Sequence, residues 1–100
     1  APDFGALAAA SKHCIIATAP GDDCDVVSRF FAPQVGINED PVTGSAHCVL
    51  VPYWAQRLGL EALDCRQISA RRGDLACRYA EGRVFMTGTS VTYMQGTVTI

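Results

Sequence analysis

Residues 39–59 read EDPVTGSAHCVLVPYWAQRLG: two acids, a proline and a glycine between hydroxyls, directly ahead of a long apolar run. Within that run Ala46, Val49, Leu50, Tyr53, Trp54 and Leu58 recur at helical spacing, and Cys48 and Val51 widen the stripe around much of the circumference. The spacing predicts a helix over 43–59 that is mostly buried, with Leu50 and Trp54 in the core. Pro52 removes one backbone bond inside it, at ~3 kcal/mol in a straight helix, which predicts a bend near Cys48.

The pattern changes on either side of this helix. HCIIATA (13–19) and DVVSRFF (25–31) are apolar and β-branched, and PGDDC between them supplies turn residues. Downstream, CRQISA (65–70), DLACRYA (74–80), RVFMTG (83–88) and SVTYMQGTVTI (90–100) read as further strands. Arg72-Gly73 punctuates them, and Glu81-Gly82 is predicted to turn a hairpin. The opening APDFGALAAAS predicts a short helix over about 2–11. A nearly all-apolar helix needs cover from a sheet, so the expected fold is α+β. It is one domain, 1–100, in which a mixed, strongly curled sheet of at least four strands wraps one central helix.

Composition narrows the function classes. One hundred residues with 49% hydrophobic content suit a single small core. The net charge is −2 and the eight Lys and Arg are scattered, Arg71-Arg72 being the one basic pair, so a nucleic-acid surface is not expected. No apolar run approaches the ~20 residues of a membrane span, and the start lacks a signal-peptide pattern. The expectation is a soluble, cytoplasmic protein. Five cysteines (14, 24, 48, 65, 77) are an odd number without a C-x-x-C pair, so no zinc site is expected. His13-Cys14 and His47-Cys48 are sequence neighbours, whose side chains diverge on a helix or strand. The thiols read as small buried hydrophobes, and His13 as structural.

The polar run ahead of the helix then acquires a purpose. A helix start leaves up to four N–H groups unpaired at the positive end of its dipole. Thr43 or Ser45 can cap them, which is the plain reading of such a run and contributes ~1 kcal/mol. Alternatively, Gly44 lets a ligand approach the backbone, and Asp40-Pro41 forms a turn that aims a carboxylate at the same opening. A carboxylate-bearing substrate would then rest on the N–H groups while Asp40, Ser45 or His47 exchange protons with it.

FFAPQVGINEDPVTGSAHCVLVPYWAQRLG (30–59), the following QISARRGDL (67–75) and the GRVFMTG…GTVTI ending resemble the C-terminal half of the phenazine-biosynthesis (PhzF-like) isomerase family, over nearly the whole chain. The resemblance implies a diaminopimelate-epimerase-like fold, in which two similar halves each wrap a sheet around a central helix. It also implies cofactor-free acid–base isomerisation between the halves, with no metal or nucleotide. On this resemblance Asp40 and Ser45 are the catalytic residues, and Gly44, Ser45, Ala46 and His47 bind substrate. The family's principal catalytic glutamate belongs to an N-terminal half that this chain lacks, and Glu39 and Glu61 do not replace it. Two classes of function follow. The chain is either half of an isomerase, inactive without its N-terminal partner, or a non-catalytic module for dimerisation or small-anion binding. In both cases a homodimer is expected.

Overall fold

Strict alternation along Ala62–Gln67 buries Leu63, Cys65 and Gln67 and exposes Ala62 and Asp64, so this segment is a strand with one face turned to a core. The computed structural model describes all of residues 1–100. Its elements are α1 (Phe4–Ala10), β1 (Ile15–Pro20), β2 (Val26–Phe31), a single 3-10 turn (Pro33–Val35), α2 (Gly44–Leu58), β3 (Ala62–Gln67), β4 (Gly73–Ala80) and β5 (Arg83–Thr87). The strands lie in sequence order in one five-stranded sheet. β1 pairs antiparallel with β2, β3 with β4 and β4 with β5, whereas β2 and β3 run parallel, with Val26 opposite Cys65. A parallel pair requires a crossover, and α2 supplies it. The helix therefore begins where β2 has ended, beside the end of β3.

The core follows from α2 lying on the sheet. Ala46, Leu50, Val51, Trp54 and Ala55 pack on Val26, Leu63, Cys65 and Cys77, flanked by Ile16, Phe30, Leu75, Tyr79 and Val84. The Trp54 indole N–H donates to the Thr18 hydroxyl at 2.9 Å, which ties the helix to the edge strand β1. Gly59 ends the helix in the left-handed region, its N–H bonded to the Ala55 carbonyl. α1 is capped by Asp3, whose carboxylate accepts from the Ala6 N–H, and its Phe4 ring sits 6.2 Å from Phe31. Glu81 (φ 55°) and Gly82 (φ 72°) are both left-handed, as a two-residue hairpin turn between right-twisted strands requires. That hairpin is where the sequence places it. No helix is long and apolar enough to cross a membrane.

Three expectations need correction. The sheet is open rather than strongly curled, because β1 and β5 remain unpaired edges and no further strand joins them. α2 is consequently buried on one face only: Leu50 and Trp54 are in the core, but Val49 is 66% and Tyr53 52% exposed, and Cys48 and Leu58 are exposed too. Finally, residues 88–100 form no strand, although their composition is β-like: they pair with neither free edge of the sheet and lie exposed. Helix α2 runs continuously through Pro52, which leaves the Cys48 carbonyl without its intrahelical partner on the exposed side. Of the thiols, Cys65 and Cys77 are buried as expected, Cys24 is half-buried, and Cys14 and Cys48 are exposed.

One-sided burial has a measurable consequence. Leu50→Ala is expected to cost ~2–5 kcal/mol as a core truncation, whereas Val49→Ala, one residue along, stays within ~0.5 kcal/mol. Urea unfolding of the two variants checks this, and equal losses would mean that both faces of the helix are covered.

Candidate functional site

The start of α2 is held by a side chain from another element. Gln67, at the end of β3 and 1% exposed, accepts the Thr43 N–H on Oε1 at 2.7 Å. Its amide nitrogen donates to the Asp40 carbonyl at 2.9 Å and to the Thr43 hydroxyl at 3.1 Å. Two residues on, the Ser69 hydroxyl donates to the Pro41 carbonyl at 2.8 Å and accepts the Arg72 N–H at 3.0 Å. The Asp40 N–H is bonded to the Phe30 carbonyl at the end of β2. Both parallel strands thus fix the Asp40–Thr43 loop at their carboxyl ends, where open α/β sheets place ligands. Gly73 is needed for this approach, since a Cβ there would lie 2.0 Å from Val42 Cγ2.

The hydroxyl that sequence reasoning offers as a cap is used differently. Thr43 is the N-cap residue by position, but its side chain makes no cap bond. Its Oγ1 already accepts from Gln67, so its proton goes to Asp40 Oδ2. No Ser45 side-chain bond forms either, so the first N–H groups of the helix have no side-chain acceptor. Gly44 and Ser45 are exposed, Ala46 is buried and Asp40 is half-buried. A Cβ on Gly44 would meet nothing within 4 Å, so this turn opens onto free space. The arrangement can hold an oxyanion on backbone donors next to a carboxylate whose orientation is set from behind.

His47 is placed elsewhere. It is fully buried, and its Nδ1 donates to the Thr43 carbonyl at 2.7 Å. Burial holds its pKa below the ordinary value and Nε2 has no partner, so the ring is a neutral core group with no surface to offer a substrate. Glu39 is also committed: Arg29 grips both of its oxygens at 2.8 Å and lies over the Phe31 ring. Cys65 is no nucleophile, because its contact with Cys77 and its burial raise its pKa and keep it a thiol. Asp40, Gly44, Ser45 and Ala46 lie together at the helix start; His47 is buried away from the opening.

Sequence reasoning missed Gln67, whose only signal was its place in the QISARRG run. It also read Arg72-Gly73 as punctuation and gave Arg71 and Arg72, a lone basic pair, no role at the site. These two line a cleft of about 430 Å³ together with Asp40, Pro41, Val42 and Thr89. That volume lies in the range of small-molecule sites.

The family model described as phenazine biosynthesis-like protein matches residues 1–96. The chain belongs to this family. A relative from Pseudomonas aeruginosa, named an uncharacterized isomerase, is 53% identical over 97 residues, covering 97% of this chain and 37% of its own length. The human phenazine biosynthesis-like domain-containing protein is 47% identical over 76 residues, 75% of this chain and 26% of the relative. The crystal structure of a PhzF-family protein from Enterococcus faecalis superposes with a TM-score of 0.86 at 50% identity, over 89% of this chain and 35% of that one. A Clostridium difficile PhzC/PhzF protein gives 0.85 at 40% identity, over 100% and 39%. The matched chain therefore spans between 26% and 39% of the length of these relatives.

Two outcomes follow from the clamp and the ion pair. Gln67→Leu strands the Thr43 N–H and the Asp40 carbonyl in a half-buried setting, so it is expected to cost ~2–6 kcal/mol by urea unfolding, from about 1–3 kcal/mol per orphaned group. The hydrogen bonds and charge of Arg29 hold the Glu39 pKa below its ordinary 4.5. A depressed carboxyl stabilises the fold above its unfolded pKa and loses that contribution as pH falls through the lower folded value. Wild-type stability should therefore fall between pH 4.5 and the lower folded value, and Glu39→Gln should flatten that part of a thermal-midpoint profile.

Proposed function

We propose that this chain is the C-terminal part of a cofactor-independent isomerase, in which it supplies one acid–base group and an oxyanion cradle for a small carboxylate substrate. The observation that supports this best is the diverted Thr43 hydroxyl. A cap would turn that oxygen to the helix N–H groups; here it serves the Asp40 carboxylate and leaves the donors for a ligand. The isomerase name of the Pseudomonas relative and the family match agree with it.

In this reading the substrate carboxylate lies on the N–H groups of Gly44, Ser45 and Ala46, with Ser45 Oγ as a further donor. Asp40 takes the proton as the C–H bond of the adjacent carbon breaks, and the electron pair left on carbon delocalises onto the carboxylate oxygens held by those donors. A proton returned to a different carbon completes the isomerisation. This second transfer needs another group, because Glu39 is held by Arg29 and Glu61 is near Arg78. The group would come from the remaining two thirds of a longer protein like the relatives, so the chain alone would be inactive. The exposed Val49, Tyr53, Val91 and Tyr93 are apolar area that such a partner, or a second copy in a homodimer, would cover. Five free thiols suit a reducing, cytoplasmic setting.

The test uses a full-length protein carrying this chain. Asp40→Asn keeps the shape and a hydrogen-bonding oxygen while removing the base, so isomerase turnover should fall ~10²–10⁴-fold with the thermal midpoint retained. Unchanged turnover with a lowered midpoint would show that the carboxylate only holds the turn.

A further inference from the structure

Arg71 and Arg72 are the two arginines near the site that no acid occupies. Arg66 takes both Asp23 and Asp74, at 2.8 and 2.7 Å; Arg29 takes Glu39; and Arg78 lies 3.8 Å from Glu61. Asp74 lines the Asp40 cleft but is already spent on Arg66. The cleft therefore presents two guanidinium groups with no ion-pair partner, alongside the carboxylates of Asp40 and Asp74. Both side chains are exposed, but the backbone that carries them is fixed. The Arg72 N–H is bonded to Ser69, a buried hydroxyl that also grips Pro41, and Gly73 packs against Val42. Arg72 itself has φ 64°, a left-handed conformation that a non-glycine residue holds only where its surroundings impose it.

We infer that Arg71 and Arg72 form a second oxyanion subsite, so that the substrate of this cleft carries two carboxylate-type groups, one for the helix-start amides and one for the arginines. The inference rests on reading the helix start as a substrate cradle. Its chemistry is the planar guanidinium fork, which binds a carboxylate through two parallel N–H···O bonds and which a lysine ammonium does not reproduce.

The test titrates the isotope-labelled 100-residue chain with acetate and with malonate, succinate and glutarate at constant ionic strength, following the amide signals of Gly44, Ser45 and Ala46 and the arginine Nε–H signals. At least one dicarboxylate should bind ~10-fold or more tightly than acetate. Arg71→Gln with Arg72→Gln should bring it down to the acetate level without altering acetate binding. Arg71→Lys with Arg72→Lys should recover only part of the loss. Both arginines are exposed, so the variants should keep the wild-type amide dispersion. No dicarboxylate advantage, or an advantage that survives the double glutamine variant, overturns the inference. If acetate still moves the Gly44–Ala46 amides in that case, the helix-start cradle stands without the arginines. If no acid moves those amides, the cradle itself is wrong, and the two-group substrate falls with it.

Discussion

Everything at the site depends on one buried amide. Gln67 satisfies its own carbonyl and NH₂ entirely with groups of the Asp40–Thr43 loop, and in doing so joins the end of β3 to the start of α2. A primary amide in a core is tolerated only when its partners are present, so the loop and the strand stabilise each other's placement. The same bond from Gln67 into Thr43 Oγ1 decides which way the threonine proton points. Through that proton the clamp reaches the Asp40 carboxylate.

The helix start is accordingly a balance between two uses of a hydroxyl. Capping would satisfy a backbone donor and stabilise α2 by ~1 kcal/mol. Turning Thr43 toward Asp40 forgoes that and leaves positive backbone dipoles facing open space. The fold can carry the cost because α2 is secured elsewhere, by Leu50, Val51 and Trp54 in the core and by Gly59 at its end. Stability resides in the middle and C-terminal end of the helix, which frees its first turn for chemistry.

The exposed side of the molecule fits the same division. The sheet is open, one face of α2 is uncovered, and residues 88–100 pair with no strand. The radius of gyration is 15.5 Å, against ~13 Å for a compact domain of this length. Relatives of which this chain makes up little more than a third have additional chain with which such surfaces can be paired.

Local chemistry was legible in the sequence: the helix over 43–59 from its apolar period, the Glu81-Gly82 hairpin from its turn residues, and Asp40, Gly44 and Ser45 as a polar group at a helix start. These depend on neighbours a few residues apart, and short-range spacing records them. Circumferential hydrophobicity did not say whether Val49 and Tyr53 face a core, because apolar residues on a helix look alike whether or not a partner covers them. The β-like composition of 90–100 likewise does not decide whether the segment pairs with a sheet edge. His47 looked like a contact by its position, yet one turn of the helix carried it inside. Only tertiary structure could bring Gln67 to Thr43 across 24 positions, and Arg72 beside Asp40, because those pairings come from two parallel strands ending side by side and from no feature of either segment alone.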